Sequence, residues 1–211
     1  MTPVIHIVDD DASFRTALGR LVEASGFRVA SYGSGEEILS RLPTAEPGCI
    51  LLDLQMPGLS GADLQDRLSQ AAPLLPTVFL TGHGDIATTV RAIKAGAEDF
   101  LEKPVSAKDL LEAINRALLQ NEKRCAEHHR IDKLHALAAG LTPREFQVFD
   151  LVVRGKRNKQ VAFELGTSER TVKAHRHAIM EKLEVNSLAE MVSIAERLGL
   201  LNAPKRGGSA P

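Results

Sequence analysis

The sequence has no tryptophan, a single tyrosine and only two cysteines in 211 residues. Cys49 and Cys125 cannot build a disulfide framework, which points to a reducing compartment. No apolar run approaches the roughly 18 residues that a membrane span requires. The first residues also lack the basic-then-apolar order of a secretory signal. A cytoplasmic chain without a membrane partner is the expectation. Internal repeats and long low-complexity tracts are missing too, as is any phosphate loop ending in Gly-Lys-Ser/Thr. Gly33-Ser34-Gly35 follows a strand-like segment, but Ile38 stands where a dinucleotide fingerprint needs its third glycine. The histidines suggest no zinc site, because His128 and His129 diverge on a helix and His175 and His177 share no face.

What is present is divided. The length suits one domain of about 120 residues followed by a smaller one. The formal net charge of −1 conceals a split: residues 1–118 hold 10 basic and 16 acidic side chains, and residues 119–211 hold 16 and 11. Nucleic acid is a candidate partner for the basic part, although charge alone does not separate that from chance.

The first part alternates short apolar runs with helical spacing. Val4–Val8, Phe27–Tyr32, Cys49–Asp53, Thr77–Thr81 and Asp99–Glu102 read as strands. Between and after them fall Phe14, Ala17, Leu18, Leu21 and Val22; a shorter candidate, Ser34–Arg41; Leu64, Leu68 and Ala71; Ile86, Val90 and Ile93; and Leu110, Leu111, Ile114 and Leu118. Five strands alternating with five helices give an α/β domain, a parallel sheet covered on both faces. Residues 120–140 are polar and serve equally as a helical extension or a tether. From Leu141 the texture becomes short helices with clear punctuation. Thr142-Pro143-Arg144-Glu145 and Ser187-Leu188-Ala189-Glu190 read as capping boxes, Gly155 and Gly166 as stops, and Ser168 as a cap. Phe146, Phe149 and Val153 form the expected buried stripe of the first of these helices. The domains expected are 1–119, a linker 120–140, an all-α four-helix domain 141–201 with the grammar of a helix-turn-helix, and a disordered tail 202–211.

Polar residues of the first domain collect at strand ends. Asp9 and Asp10 follow the first strand, Asp53 ends the third, Thr81 ends the fourth and Lys103 follows the fifth. In a parallel sheet all these positions lie at the carboxyl edge, where open α/β sheets bind ligands. Carboxylates crowded there repel one another unless a hard divalent cation neutralises them, and Mg²⁺ suits such a donor set. Asp11 reads instead as a helix N-terminal charge.

Val8-Asp9-Asp10-Asp11, Leu52-Asp53-Leu54-Gln55-Met56-Pro57-Gly58, Leu80-Thr81-Gly82 and Glu102-Lys103-Pro104 together resemble the receiver domain of two-component response regulators, over residues 3–120. The resemblance implies a doubly wound sheet of strand order 2-1-3-4-5. It implies Asp53 as the phospho-acceptor for a sensor histidine kinase, and Mg²⁺ held by Asp10, Asp53, the backbone carbonyl of Gln55 and, through water, Asp9. Lys103 and Thr81 would meet phosphoryl oxygens, Phe100 would turn inward as an aromatic switch, and Lys103-Pro104 would be a cis peptide. Thr81-Gly82-His83-Gly84-Asp85 resembles the loop of the FixJ/StyR/TodT-like branch, with His83 at the surface or in the switch loop.

In the second half, Leu141-Thr142-Pro143-Arg144-Glu145, Asn158-Lys159-Gln160-Val161-Ala162 and Thr171-Val172-Lys173-Ala174-His175-Arg176 resemble the LuxR-type helix-turn-helix, over residues 138–201. Glu169–Leu183 would be the recognition helix in the major groove of double-stranded DNA. Val172, Ile179 and Leu183 would face inward. Lys173, Ala174 and His177 would face the base edges, and Arg176, Arg170, Lys159 and Lys182 the phosphates. His175 would pack inward. The resemblance implies a phosphorylation-activated transcriptional regulator, not an enzyme beyond self-phosphorylation and slow dephosphorylation, that pairs as a homodimer and engages RNA polymerase. Two rivals stand beside it. One is a Mg²⁺-dependent aspartyl-phosphate phosphatase, opposed by Gln55 where a second acid would stand. The other is a phosphorylation-independent DNA-binding protein that uses its receiver as a dimerisation scaffold.

Overall fold

A computed structural model describes residues 2–42, 46–57, 61–82 and 97–201. The helix expected on Ile86, Val90 and Ile93, His83, and the 202–211 tail lie outside the described residues. The chain divides into two units, residues 1–126 and 127–211.

The first unit runs β1 (Val4–Val8), α1 (Ala12–Ala24), β2 (Arg28–Tyr32), α2 (Gly35–Arg41), β3 (Gly48–Asp53), α3 (Gly61–Ala71), β4 (Thr77–Thr81), β5 (Asp99–Glu102) and the part up to residue 126 of α4, a helix of 33 residues, Ala107–Ala139, whose remainder belongs to the second unit. Residues 120–139, which by sequence suited a helix or a tether equally, are therefore helical. All strand pairs are parallel and the order is β2-β1-β3-β4-β5, the doubly wound arrangement.

The strand period of two sorts the core into two layers. Ile5, Ile7, Cys49, Leu51, Val78 and Leu80 face α1 and the first part of α4, against Leu18, Val22, Leu110 and Ile114. Val8, Ile50, Leu52 and Phe79 face α2 and α3, against Ile38, Leu64 and Leu68. Burial lifts the Cys49 thiol to about 12, so that cysteine is an inert part of the first layer. Two local features fix the ends of the sheet. Asp11, expected as a charge at the helix N-terminus, is the cap of α1, its carboxylate accepting from the N–H groups of Ser13 and Phe14. At the opposite edge the buried Asn121 accepts from Gly48 N–H at 3.1 Å and donates to Leu74 C=O at 2.8 Å, tying α4 to the start of β3 and to the approach to β4.

The second unit holds α5 (Pro143–Val153), α6 (Asn158–Glu164), α7 (Glu169–Lys182) and α8 (Leu188–Arg197). Val148, Phe149, Val152, Val161, Val172, Ile179, Leu183 and Met191 form its core. Gly155 and Gly166 follow α5 and α6 with φ of 83° and 61°, values that L side chains rarely adopt, so each helix stops there. Phe146 departs from the expected stripe. The buried face centres on Val148 and Val152, which leaves Phe146 at its rim, 40% exposed and tilted against Phe149. The box at α5 is complete: Thr142 accepts from Glu145 N–H, and the Glu145 carboxylate accepts from Thr142 N–H at 2.7 Å. At α8, Ser187 accepts from Glu190 N–H, but the Glu190 carboxylate reaches Asn186 N–H and the Ser187 hydroxyl rather than Ser187 N–H.

This packing sets the response to two substitutions. A Cβ at Gly48 would sit 2.0 Å from Val4 C=O, a backbone atom of the adjoining strand that cannot swing aside. Gly48→Ala should therefore destabilise the first unit by about 1–3 kcal/mol, read as a lower urea midpoint. Glu145 is held down to about 2, first by the hydrogen bond from Lys182 at 2.7 Å and then by Thr142 N–H. Its contribution to stability is complete above the ordinary value of 4.5 and is lost as pH falls toward about 2. Glu145→Gln should lower the melting temperature at pH 7, and the gap to the wild type should close as acid protonates Glu145.

Candidate functional site

The carboxyl edge of the sheet gathers residues distant in sequence because β1, β3 and β4 are adjacent and parallel. Asp9 leaves β1, Asp53 is the last residue of β3, Thr81 is the last of β4, and Lys103 follows β5. Carboxylate oxygens of Asp9, Asp10 and Asp53 all lie within 4.8 Å of one another. Asp9 and Asp53 are buried and Asp10 is exposed. The Lys103 ammonium donates to Asp9 Oδ2 at 2.7 Å and to Asp53 Oδ2 at 2.8 Å. Its own backbone is anchored by the N–H of Lys103 donating to Thr81 C=O at 2.6 Å, and Lys103-Pro104 is cis.

The electrostatics follow from burial. Desolvation raises the pKa of Asp9, and the hydrogen bond from Lys103 opposes it without cancelling it. For Lys103 burial acts against the charge, but the hydrogen bonds to Asp53 and Asp9 outweigh it and the pKa rises. One ammonium thus pairs with two carboxylates, and a third, Asp10, lies beside them. At an effective dielectric near 20, unit charges about 4 Å apart interact by about 4 kcal/mol, so repulsion between the carboxylates is comparable with each attraction to the lysine.

Neighbouring groups complete the edge. Gln55 is exposed and its N–H donates to the other Asp53 oxygen, Oδ1, at 3.0 Å, which orients the carboxylate. Thr81 is buried, 1% exposed. Phe100 on β5 is half-buried against the layer that contains Phe79. Two residues here were not singled out by sequence as part of the site. Arg15 donates to the backbone carbonyl of Asp9. Phe14 places its ring beneath Lys103, with Nζ 4.2 Å from the centroid. In sequence Phe14 was one member of a helical apolar stripe, and nothing in that stripe distinguishes it from a core residue.

The second unit presents a separate surface. Lys173, Ala174 and His177 on α7 and Arg170 at its start are all exposed, as is Lys159 on α6. Val172 and Ile179 turn into the core and Leu183, the C-cap, is buried behind them. His175 is half-buried. Two of the expected phosphate contacts are engaged within the protein. Arg176 donates to Asn158 Oδ1 at 2.7 Å, joining α7 to the start of α6. Lys182 is tied to Glu145 on α5. Both cations hold the helices together, which their sequence position among other exposed basic residues did not reveal. His177 lies 3.6 Å from Glu181, one turn on.

No helix among the described residues is long and apolar enough to cross a membrane. Comparison with known proteins gives a family for each of the two units. Residues 5–115 match the response regulator receiver domain, and residues 139–195 match the bacterial regulatory proteins of the luxR family. The response regulator protein TmoT of Ectopseudomonas mendocina is 44% identical over 92% of this chain and 89% of its own length. The transcriptional regulatory protein FixJ of Bradyrhizobium diazoefficiens is 38% identical over 94% and 97%. Among solved structures, the response regulator StyR is 45% identical with a TM-score of 0.75, covering 93% of this chain and all of its own. With the sheet order, the carboxyl-edge cluster and the capped helices in place, these matches establish that the chain belongs to the two-component response regulators that join a receiver domain to a LuxR-type DNA-binding domain and regulate transcription.

Proposed function

We propose that Asp53 accepts a phosphoryl group from a sensor histidine kinase and that this modification controls DNA binding by the second unit in the cytoplasm. The observation that carries the reading is the Lys103 ammonium shared between Asp9 and Asp53, beside the exposed Asp10. Asp53 is oriented by Gln55 N–H through Oδ1, and its Oδ2 faces the lysine. Attack by an Asp53 oxygen would form the O–P bond while the P–N bond to the kinase histidine breaks, its electron pair and a proton going to the imidazole. Lys103, already at the edge, is placed to meet the charge of the phosphoryl oxygens, and Thr81 stands at the end of the adjoining strand.

The donor set fits a divalent cation. Three clustered carboxylates, two of them sharing one ammonium, carry more negative than positive charge, and all the donors are hard oxygens. Asp10, Asp53 and the Gln55 carbonyl would hold Mg²⁺, with Asp9 acting through water. Bound there, the ion would supply charge stabilisation to the transferring phosphoryl group. Thr81 and Phe100 would then register the modification, and pairing of two copies would raise affinity for a two-fold operator by avidity. Regulation of transcription would run through RNA polymerase.

On the second unit, Lys173, Ala174 and His177 would read base edges, and Arg170 and Lys159 would contact phosphates. Arg176 and Lys182 would contact phosphate with the donors that Asn158 and Glu145 leave unused.

Incubation with Mg²⁺ and acetyl phosphate should add one phosphoryl group to the intact mass of the wild type. Neither Asp53→Asn nor the wild type in EDTA should gain it. A wild type that stays unmodified beside a competent control receiver would favour the scaffold reading. For DNA, Arg170→Ala should weaken binding alike across sequences and reduce the slope of log K against log salt by about 1. Lys173→Ala should instead relax base preference in a selection from random duplexes, with anisotropy titrations reading both effects.

A further inference from the structure

The ammonium of Lys103 has three protons, and two of its partners are carboxylates. Asp9 Oδ2 and Asp53 Oδ2 take hydrogen bonds at 2.7 and 2.8 Å. On another side lies the ring of Phe14, its centroid 4.2 Å from Nζ, within the range in which an aromatic face attracts a cation. The lysine side chain is only 18% exposed. A lysine is a flexible four-carbon stem, and its rotamers otherwise carry the charge outward to water. Phe14 itself is held at the first turn of α1, its N–H donating to the Asp11 cap at 3.1 Å, and its side chain packs at the border of the layer formed by β1, β3, β4 and α4.

From these contacts we propose that Phe14 is a positioning residue for phosphoryl transfer at Asp53, its ring holding the Lys103 ammonium at the carboxyl edge. This rests on the reading of Asp53 as phospho-acceptor. The ring contact differs in kind from the other two. When Asp53 becomes an acyl phosphate, the hydrogen bond from Lys103 to its carboxylate must be remade to a phosphoryl oxygen, whereas the attraction to the ring does not depend on the state of Asp53. The ring also excludes water from one side of the ammonium, which strengthens its electrostatic effect on the developing charge. An aliphatic side chain of similar size would fill the space but present no negative face to the cation.

The test uses the full chain with Mg²⁺ and acetyl phosphate. Phe14→Leu should lower the limiting rate of phosphorylation about three- to tenfold, and Phe14→Tyr should retain most of the wild-type rate. Replacement of Phe14 by mono-, di- and trifluorinated phenylalanine changes the charge on the ring face with little change in shape. Along that series the rate should fall stepwise while the unfolding midpoint stays level. The contact has a signature independent of reaction: the Lys103 ε-methylene protons should show an upfield ring-current shift in the metal-free protein, lost in Phe14→Leu. Rates that are flat across the fluorinated series, or a missing ring-current shift, would overturn the proposal and leave Phe14 as packing. Should the wild type itself take no phosphoryl group, the underlying reading of Asp53 fails first, and the ring-current shift still decides whether the ring holds the lysine.

Discussion

Everything at the receiver edge depends on one cation shared by two buried carboxylates. Lys103 comes from beyond β5, Asp9 from the end of β1 and Asp53 from the end of β3, and the ammonium reaches both acids at hydrogen-bond distance. Removing a buried charge from water is costly unless it is paired. The pairing therefore constrains the sheet as well as serving the site. The order β1-β3-β4-β5 must hold for the lysine to arrive, and the N–H of Lys103 on Thr81 C=O fixes the last step of that approach. Fold and chemistry share one constraint here, since the strand ends that gather the acids also leave them short of positive charge.

The second unit solves a different problem, that of holding short helices whose outer faces must stay free. Beside its core, the helix ends are closed by caps and turns. Thr142 and Glu145 close α5, Ser168 caps α7 through the Thr171 N–H, and glycine turns separate α5 from α6 and α6 from α7. Ion pairs and polar bonds then link helix to helix, Lys182 to Glu145 and Arg176 to Asn158. These use cations near the middle and end of α7 and leave Arg170, Lys173 and His177 exposed along the remainder of the same helix. A basic helix in such a unit thus has two classes of cation, those that build the platform and those that it presents.

That division marks the limit of what the sequence made legible. Strand ends could be read because apolar runs terminate sharply in polar residues, and parallel pairing sends every such terminus to one edge. Asp9, Asp10, Asp53, Thr81 and Lys103 were legible for that reason, as was the placement of Asp11 at a helix N-terminus. The helix boundaries of the second unit were legible because Pro143, Gly155, Gly166 and Ser168 act within one turn of themselves. Partners chosen across the fold were not. Nothing local to Lys182 distinguishes it from Lys173, and only the return of α7 beside α5 gives it Glu145. Phe146 and Phe14 show the same limit for aromatics. The spacing of Phe146 fits a buried stripe, yet the stripe is centred one residue pair away and leaves it at the rim. Phe14 has core spacing, yet its ring meets a cation. Asn121, on a segment that sequence left between helix and tether, is buried because two backbone groups from β3 and the β4 approach need a partner.

On the proposed reading, the charge balance at the edge would give the receiver its capacity to respond. In the unmodified protein the lysine divides its hydrogen bonds between Asp9 and Asp53, and burial already raises the pKa of Asp9. Adding a dianion to Asp53 would increase the negative charge at a place with little water to screen it. The central strands β1, β3 and β4 are buried throughout and packed on both faces, so they have little freedom to adjust. Adjustment would fall to groups at the margin: the Lys103 side chain and β5, an edge strand whose Phe100 is half-buried. A close-packed sheet with its charge at one rim would therefore pass an electrostatic change to its edge strand and the adjoining helices rather than absorb it in the core.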